Sequence, residues 1–471
     1  MTGRFGPLLA AEVRVEWRYQ IPLALAGLAA AWSVLAAAVP AGAPYLLFVE
    51  IATVGTFLIG ALAVTERATG VLAALTVSPV RAEEYVAARV APLTALTVLV
   101  AVPVLVAGGA HRYASGLAAV ALTAVLLLTT ALAVALRRRT LLAFLTWMPW
   151  PMIPLFAVPL AVAVGLLTHP AWYAVPTTGA LAVIRAGFGS AQPHASALLA
   201  YLAGWAMLAT AGAVWVAGRP DGTPRTAGQS AQRRGQAWRG PRGLAFVHAD
   251  ARNVGRDSVL VPIALSPLLL GVLLRFGYPP MAGWAERAHG VDLDPYRPVL
   301  ALLAVVLHVP VIAGMVGAIV VLDDLDDGVL QVVKVSPLGA RRYLGYRLGA
   351  VTAFAGLGLA VAAPLSGAVP ATAWGAVLLA VPVAPLFTLA VLAVARDRVQ
   401  GLTLTKLIGL PAYAPIAAWW ITGAAGWLLA PLPTFWVVRA WEGAEPLTLV
   451  AGALCAALWL VALARRVLRR L

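Results

Sequence analysis

The chain consists largely of long apolar runs separated by short polar segments that hold most of its charged residues. A helix needs about 20 mostly apolar residues to cross about 30 Å of hydrocarbon. Hydrophobic residues make up 62% of the 471 residues and charged residues only 11%, which is more apolar surface than a soluble protein can bury. The sequence therefore predicts an all-α integral membrane protein.

Twelve runs are long and apolar enough to be spans, six in each half of the chain. They lie near residues 21–39, 44–64, 90–109, 117–136, 141–167, 195–217, 259–277, 297–322, 348–368, 372–394, 402–430 and 447–464. A stretch rich in Gly, Pro, Gln, Ser and Arg, with no apolar period, separates the two sets. We therefore predict a first six-span half at 1–217, a cytoplasmic linker at 218–243 and a second six-span half at 244–471.

The basic residues test this topology. If both termini and every second loop share one side of the membrane, that side receives 28 of the 34 Lys and Arg residues. Because Lys and Arg accumulate in cytoplasmic loops, the split predicts a multi-pass protein of the cell (plasma or inner) membrane with both termini cytoplasmic. It also explains the net charge of +15 without nucleic acid, which we do not expect as a partner.

One short polar segment occurs twice, between the second and third predicted spans of each half. Glu66 to Pro79 and Asp324 to Pro337 superimpose at a constant offset of 258, and the match runs on through Tyr85 with Tyr343 and Arg89 with Arg347. The copies are identical at nine of 25 positions. Six spans per half is an even number, so the halves should have parallel orientation and a pseudo-two-fold relationship about the membrane normal.

Two further features recur between the halves. Apolar residues at helical spacing, Phe5, Leu8 and Leu9, predict that residues 5–19 lie along the cytoplasmic membrane surface. Between the fifth and sixth spans of each half lies a segment that begins Pro-Thr, at Pro176 and at Pro433. Aromatic residues near both segments are typical of an interfacial belt.

The motif E-R-x-x-G-x-L-x-x-L-x-V-S-P, followed by E-Y-x-x-x-R as in the first half, resembles the cytoplasmic loop of ABC-2 type transporter permeases. It is particularly similar to the fluoroquinolone-export permease subunits. Arg398-Val399-Gln400-Gly401-Leu402 also resembles the segment after span four in that group. The second half departs from the pattern at Leu325, where the first has Arg67, and the first half lacks the Gln-Gly after span four. The resemblance implies two such permeases fused in one chain.

In that family the loop forms a coupling helix that docks on a separate ATPase subunit. The resemblance therefore implies two ATP-binding cassette subunits as partners, identical or paired, which would bind ATP and Mg. The coupling residues it implies are Glu66, Arg67, Gly70, Leu72, Leu75, Ser78 and Pro79 in the first half, and Asp324, Asp327, Gly328, Leu330, Val333, Ser336 and Pro337 in the second. The alternative is that each short helix only packs under its own bundle.

The chemistry of the loop fits this role. Gly70 and Gly328 permit a turn out of the preceding helix, and Ser-Pro ends the short helix. The acidic run from Asp323 to Asp327 fits either a basic ATPase surface or a solvated helix start, where carboxylates suit the positive end of the dipole. Because the first half has Glu66-Arg67 there, we expect two unequal docking sites.

No energy-converting site is visible in the sequence. It contains no GxxxxGK[ST] phosphate loop, no catalytic cluster and no metal-ligand spacing, so we expect neither an enzyme nor a resident cofactor or metal.

Two ionisable residues lie well inside predicted spans, Glu50 and His308, and they occupy equivalent positions at the offset of 258. Such residues tend to face protein or water, so both are candidates for a pathway. A buried pair or a local hydrogen bond is the alternative. The sequence thus predicts the permease of an ATP-driven exporter of small amphipathic molecules or drugs, with a twelve-span ion-coupled secondary transporter as the alternative.

Overall fold

The computed structural model describes residues 5–68, 70–71, 78–138, 143–144, 147–219, 260–290, 292–326, 328–336, 339–419 and 424–470. All regular elements in these ranges are helical. The chain divides into two compact units, Met1–Val261 and Pro262–Leu471. The predicted linker at 218–243 lies outside the described residues except for its first two positions, so its boundaries stay a prediction.

The described residues of the first unit form eight α-helices. They are α1 (Phe5–Arg18), α2 (Ile21–Ala38), α3 (Ala43–Ala68), α4 (Ala82–Ala107), α5 (Tyr113–Leu136), α6 (Pro149–Ala163), α7 (Pro176–Gly187) and α8 (Ala195–Ala217). Helix α5 is the centre of this unit, because it packs against α3, α4, α7 and α8. Its side chains Leu127, Leu128 and Leu132 are fully buried.

The second unit contains eleven α-helices in its described residues. They are α9 (Leu260–Val272), α10 (Tyr278–His289), α11 (Arg297–Ala301), α12 (His308–Asp326), α13 (Val329–Val335), α14 (Gly339–Ser366), α15 (Trp374–Ala380), α16 (Val383–Val394), α17 (Arg398–Tyr413), α18 (Pro433–Glu442) and α19 (Pro446–Arg470). Short π-helical turns join α9 to α10 and α11 to α12. Helix α12 is central here and packs against α14, α16 and α17.

Eight helical segments in the described residues are long and apolar enough to cross a membrane. They are Ile21–Ala38, Ala82–Ala107, Tyr113–Leu136, Ala195–Ala217, Asp294–Asp326, Gly339–Ser366, Ala371–Val394 and Pro446–Arg470. Each coincides with a predicted span, which confirms an all-α, multi-pass membrane protein. The number twelve stays a prediction.

The fifth predicted span of each half is less regular than the sequence indicates. Helix α6 has only 15 residues and contains Pro154 and Pro159 in its interior. In the second unit, α17 ends at Tyr413 and is followed by 3₁₀ segments at Ala414–Trp419 and Ala424–Leu429. Proline removes a backbone donor and clashes with the preceding turn, and α17 ends two residues after its interior Pro411.

The Pro-Thr segments form two short helices, α7 and α18, each beginning at its proline. Thr177 and Thr434, the residues after these prolines, are buried, as are Phe435 and Trp441 of α18. These two aromatic side chains therefore belong to the core of the second unit rather than to an interfacial belt. Pro fits the first helical turn because its missing N–H has no intrahelical acceptor there.

Helix α1 buries two carboxylates, and its predicted position along the cytoplasmic membrane surface stays a prediction. Phe5, Leu8 and Leu9 are only half-buried, whereas Glu12 and Glu16 are buried against α4 and Trp17 is 65% exposed. Glu12 and Glu16 lie on the same side of α1 as Phe5 and Leu9, seven residues further along the helix, and this side packs on the unit. The reason is a buried arginine on α4, described below.

Candidate functional site

The segment between α12 and α14 is the described copy of the candidate coupling element. Gly328 has φ +72°, so the chain turns sharply out of α12, as the sequence predicts, before α13 begins at Val329. Only glycine adopts this conformation without a steric cost. Ser336 ends α13, and Pro337 lies outside the described residues.

Helix α13 is apolar on two sides, and they have different surroundings. Leu330 and Val333 are buried against the second unit's own core, whereas Val332 and Val335 are 67% and 88% exposed. Val329 is also exposed and completes a row at intervals of three residues. The coupling role of Leu330 and Val333 stays a prediction, and both side chains face inward. They hold α13 to its own bundle, and the three valines form its free face, which we call the valine row.

The acidic run lies at the end of a helix, not at its start. Asp323, Asp324 and Asp326 occupy the last turn of α12, where the helix dipole disfavours carboxylates. The predicted solvated helix start is wrong for these residues, since the helix continues through them. Asp327 lies outside the described residues.

Hydrogen-bond donors within the same unit offset the unfavourable position of these carboxylates at the helix end. Asp324 accepts hydrogen bonds from the Tyr343 hydroxyl and from Arg347 Nη2, the latter at 2.6 Å, and both donors lie in the first turns of α14. Arg347 Nε lies 3.2 Å from the Tyr343 hydroxyl, which closes a three-membered polar cluster. The cluster ties the end of α12 to the start of α14 across the connection that contains α13.

Two more carboxylates of the run bind the segment after α16. Asp323 accepts from Arg398 Nη1 and Asp326 accepts from the Arg398 backbone N–H, each at 3.1 Å. Arg398 is the residue that begins the Gln-Gly segment resembling the family pattern. The acidic run is therefore engaged inside its own unit, which argues against its use as a docking surface.

The first unit repeats the polar cluster at the equivalent positions. Glu66 at the end of α3 forms an ion pair with Arg89 Nη2 and accepts a hydrogen bond from the Tyr85 hydroxyl at 3.3 Å. Gly70 has φ +79°, matching Gly328, and Val71, the counterpart of Val329, is 43% exposed. Ser78 is half-buried and Pro79 exposed, while Leu72 and Leu75 lie outside the described residues.

The sequence analysis does not predict this cluster of an acidic residue, a tyrosine and an arginine. The tyrosine and the arginine were evident as repeated positions, but their contact with the acidic residue was not inferred. A signal was present, because three polar positions recur together at an offset of 258. Since each lies at a helix end next to the same connection, they were candidates for one contacting set.

Arg67 lies next to Glu66 in the chain but contacts the C-terminal end of α5. Its Nη1 donates to the backbone carbonyl of Leu136, the last residue of α5, at 2.5 Å. The carbonyls at a helix C-terminus lack intrahelical donors, and a cation there also suits the dipole. In the second unit Arg470, at the end of α19, donates to Leu392 and Val394, the final carbonyls of α16. Span four is thus capped by arginine in both units, from different places in the chain.

Arg89 is the most buried charged residue among those that the structure describes in the first unit. In addition to Glu66 it contacts Glu12 of α1, with Nη1 2.7 Å from Oε2, and its side chain is 1% exposed. Burial raises the pKa of Glu16 to about 7 from its ordinary 4.5, with the Glu12 carboxylate adding to the increase and Arg89 opposing it. Burial also raises the pKa of Glu12, and the positive charge of Arg89 offsets part of this increase.

The two candidate pathway residues each have a hydrogen-bond partner within their own unit. Glu50 of α3 is 4% exposed and accepts from the Trp32 indole N–H of α2. His308 Nδ1 lies 2.6 Å from the Tyr413 hydroxyl at the end of α17. Both contacts are local hydrogen bonds inside one unit, and the role of these two residues in a pathway stays a prediction. Within the described residues no group of three His, Cys, Asp or Glu side chains is suited to hold a metal ion.

Comparison with known proteins gives a match for each half. A family model described as "Fluoroquinolones export permease protein family" matches residues 4–220, and one described as "Fluoroquinolones export permease protein Rv2686c-like" matches residues 250–467. No solved structure matches.

Among individual proteins, the chain is similar to two from Mycobacterium tuberculosis. It is 29% identical to "Fluoroquinolones export permease protein Rv2686c" over 210 residues, which is 43% of this chain and 82% of the relative. It is 28% identical to "Fluoroquinolones export permease protein Rv2687c" over 151 residues, 32% of this chain and 64% of the relative. Together the two family models account for the chain apart from its middle segment and a few terminal residues. The chain is therefore a transport subunit rather than an enzyme. It belongs to the fluoroquinolone-export permease family and consists of two permease units in tandem.

Proposed function

We propose that the chain is the membrane-spanning part of an ATP-driven exporter of small amphipathic molecules or drugs. Separate ATP-binding cassette subunits, two identical copies or an unlike pair, would dock on the connections that follow α3 and α12 and would bind ATP and Mg. The relatives are named as fluoroquinolone export permeases, which supports drug-like substrates. The excess of Lys and Arg in alternate loops supports a cytoplasmic location for these connections and for both termini, with the chain in the cell membrane.

The observation that carries the proposal is the valine row of α13. Three exposed apolar side chains in a seven-residue helix between two spans need a partner groove, since water solvates them poorly. Leu330, Val333 and the Asp324 cluster hold this helix to α12 and α14. Motion of a docked ATPase would therefore be transmitted to two spans at once.

A co-purification experiment tests the docking. The tagged chain is purified from its native host, and stoichiometric recovery of a soluble ATP-binding cassette ATPase is expected. Val332→Asp should reduce recovery at least tenfold, because it places a charge in an apolar contact. Gln331→Asp is the matched control: it adds the same charge to an exposed neighbour outside the valine row and should leave recovery unchanged.

Two outcomes contradict the proposal. One is equal recovery of the ATPase with both variants, which would remove the valine row from the interface. The other is transport that follows a proton gradient and needs no ATPase, which would favour the ion-coupled alternative. Val71→Asp tests the first unit, and since the polar residues of the two connections differ, we expect an effect of different size.

A further inference from the structure

A basic pocket lies between the beginning of α14 and the end of α19, within the second unit. It has a volume of about 600 Å³ and is lined by Arg341, Arg342, Arg465 and Arg469, together with Gly339, Ala340 and Leu468. All four arginine side chains are exposed. We call this cavity the arginine pocket.

The four arginines have no acidic counterpart among the described residues. The ion pairs of this unit engage Arg347, Arg398 and Arg439 instead. Four guanidinium groups around one cavity repel each other unless an anion enters. Four of the lining residues, 339–342, form the first turn of a 28-residue helix, whose positive dipole end favours negative charge.

The surroundings of the pocket are apolar and face outward. On α19 the exposed residues Leu454, Leu458 and Val461 precede Arg465 at intervals of three or four residues, so they lie along the same side of the helix. This side runs from the interior of a predicted span to the arginines at its end. A ligand with a charged head and an apolar chain would match both parts.

We propose that the arginine pocket binds the phosphate-bearing headgroup of an anionic phospholipid, whose acyl chain lies along the exposed side of α19. Arginine suits this ligand because its planar donor fork binds phosphate oxygens in a bidentate manner. Basic pockets between membrane helices bind anionic lipid headgroups in other proteins. The proposal does not depend on an ATPase partner.

Native mass spectrometry of the full-length chain tests the proposal. The purified protein is titrated with dioleoylphosphatidylglycerol or with dioleoylphosphatidylcholine, which have the same acyl chains. We expect retention of phosphatidylglycerol at roughly tenfold lower lipid concentration than phosphatidylcholine. The double variant R341Q/R465Q removes one arginine from each helix and should weaken phosphatidylglycerol binding by about 10- to 30-fold, given the usual contribution of each basic residue.

The matched control is R396Q/R466Q. These two arginines are also exposed and belong to the same unit, but they do not line the pocket, so binding should stay within about threefold of the unchanged protein. A second variant, R342Q/R469Q, uses the other two arginines and should behave like R341Q/R465Q. It keeps the test valid if the first variant does not fold.

Three results would overturn the proposal. Equal retention of the two lipids by the unchanged protein would show that the headgroup charge is not recognised. Equal losses in the pocket and control variants would indicate general charge attraction. Displacement of phosphatidylglycerol by inorganic phosphate at similar concentration would identify a site for soluble anions rather than for a lipid.

Discussion

Arg347 of α14 donates to Asp324 of α12 with Nη2 2.6 Å from the carboxylate, and this contact spans the connection that carries α13. Both side chains are mostly buried, with 13% and 19% exposed. Its counterpart in the first unit joins Arg89 to Glu66, 258 residues earlier at both ends. The pair therefore fixes the two helices from which each candidate coupling element emerges.

Breaking this pair should weaken both the fold and the coupling. We expect Arg347→Gln to lower the free energy of unfolding by roughly 2–4 kcal/mol, because it leaves Asp324 without its charged partner at a helix C-terminus. Tyr343→Phe removes one hydrogen bond and should cost about 1 kcal/mol. Thermal unfolding in detergent measures both. Arg396→Gln, an exposed charge in the same unit, serves as the control, and a similar loss in that variant would contradict the assignment.

The buried carboxylates of α1 predict a pH dependence of stability. The pKa of Glu16 is raised in the folded state from 4.5 to about 7, so the folded protein binds more protons than the unfolded chain between these values. Stability must then fall as pH rises from about 4.5 to about 7 and level off above, by at most about 3 kcal/mol. The charged and titratable groups that face Glu16 are Glu12, Tyr19 and Arg89, with Glu66 and Tyr85 next to Arg89.

Glu16→Gln tests this dependence, since the amide resembles the protonated acid. We expect the variant to be more stable than the unchanged protein at pH 8 and nearly equal to it at pH 5. Thermal midpoints measured across this range give the comparison. Glu83→Gln, at an exposed carboxylate of α4, should leave the pH profile as it is. An unchanged profile in Glu16→Gln would show that Glu16 is ionised throughout.

Arginine caps at the end of span four predict a loss of stability in both units, which should be smaller for Arg470. Arg67→Gln should expose or orphan the terminal carbonyl of α5, and Arg470→Gln those of α16. Charge-assisted hydrogen bonds contribute about 1.5–3 kcal/mol, and the more exposed Arg470 should lie at or below the low end. Chemical unfolding monitored for each variant checks this. If Arg67→Gln does not lower the stability, Arg67 does not cap α5, and docking would be its remaining role.

Much of the architecture could be predicted from the sequence, since bilayer thickness dictates the length of apolar runs. The repeat placed Gly70 and Gly328 at matching turns, and both have the left-handed conformation. The orientation of α13 could not be predicted. Its residues Val329 to Val335 include five apolar side chains in seven positions, so no period distinguishes an inward face from an outward one.

The acidic run shows a second limit. From the sequence, four aspartates after an apolar run fit either the end of one helix or the start of another. What decides is the position of their partners, Tyr343, Arg347 and Arg398, which lie 19 to 75 residues away along the chain. Such contacts depend on tertiary packing and leave no local signature. The same holds for Arg67 and Arg470, which cap equivalent helices although they occupy unrelated positions in the chain.

Close packing of α12 against α16 gives a steric prediction. A Cβ added at Gly314 would lie 2.5 Å from the Ala384 carbonyl oxygen and 2.7 Å from Phe387 Cβ, both too close for real contacts. Gly314→Ala should therefore separate these helices and lower the unfolding free energy by roughly 1–3 kcal/mol. Gly349→Ala in α14 is the control, because nothing lies within 4 Å of its added Cβ. That variant should be neutral or slightly stabilising.

Glu50 and His308 allow the pathway prediction to be separated from a structural role. Glu50→Gln keeps an acceptor for the Trp32 indole and removes the negative charge, whereas Trp32→Phe removes the donor. His308→Gln and Tyr413→Phe form the matching pair in the second unit. If the two residues line a pathway, the glutamine variants should raise the KM for a cationic substrate severalfold while thermal stability stays within about 1 kcal/mol. Transport into inverted vesicles measures the KM, with a neutral substrate as control.

One outcome would contradict the pathway role. If transport is unchanged in both glutamine variants while Trp32→Phe and Tyr413→Phe are destabilised, Glu50 and His308 act only as local hydrogen-bond partners.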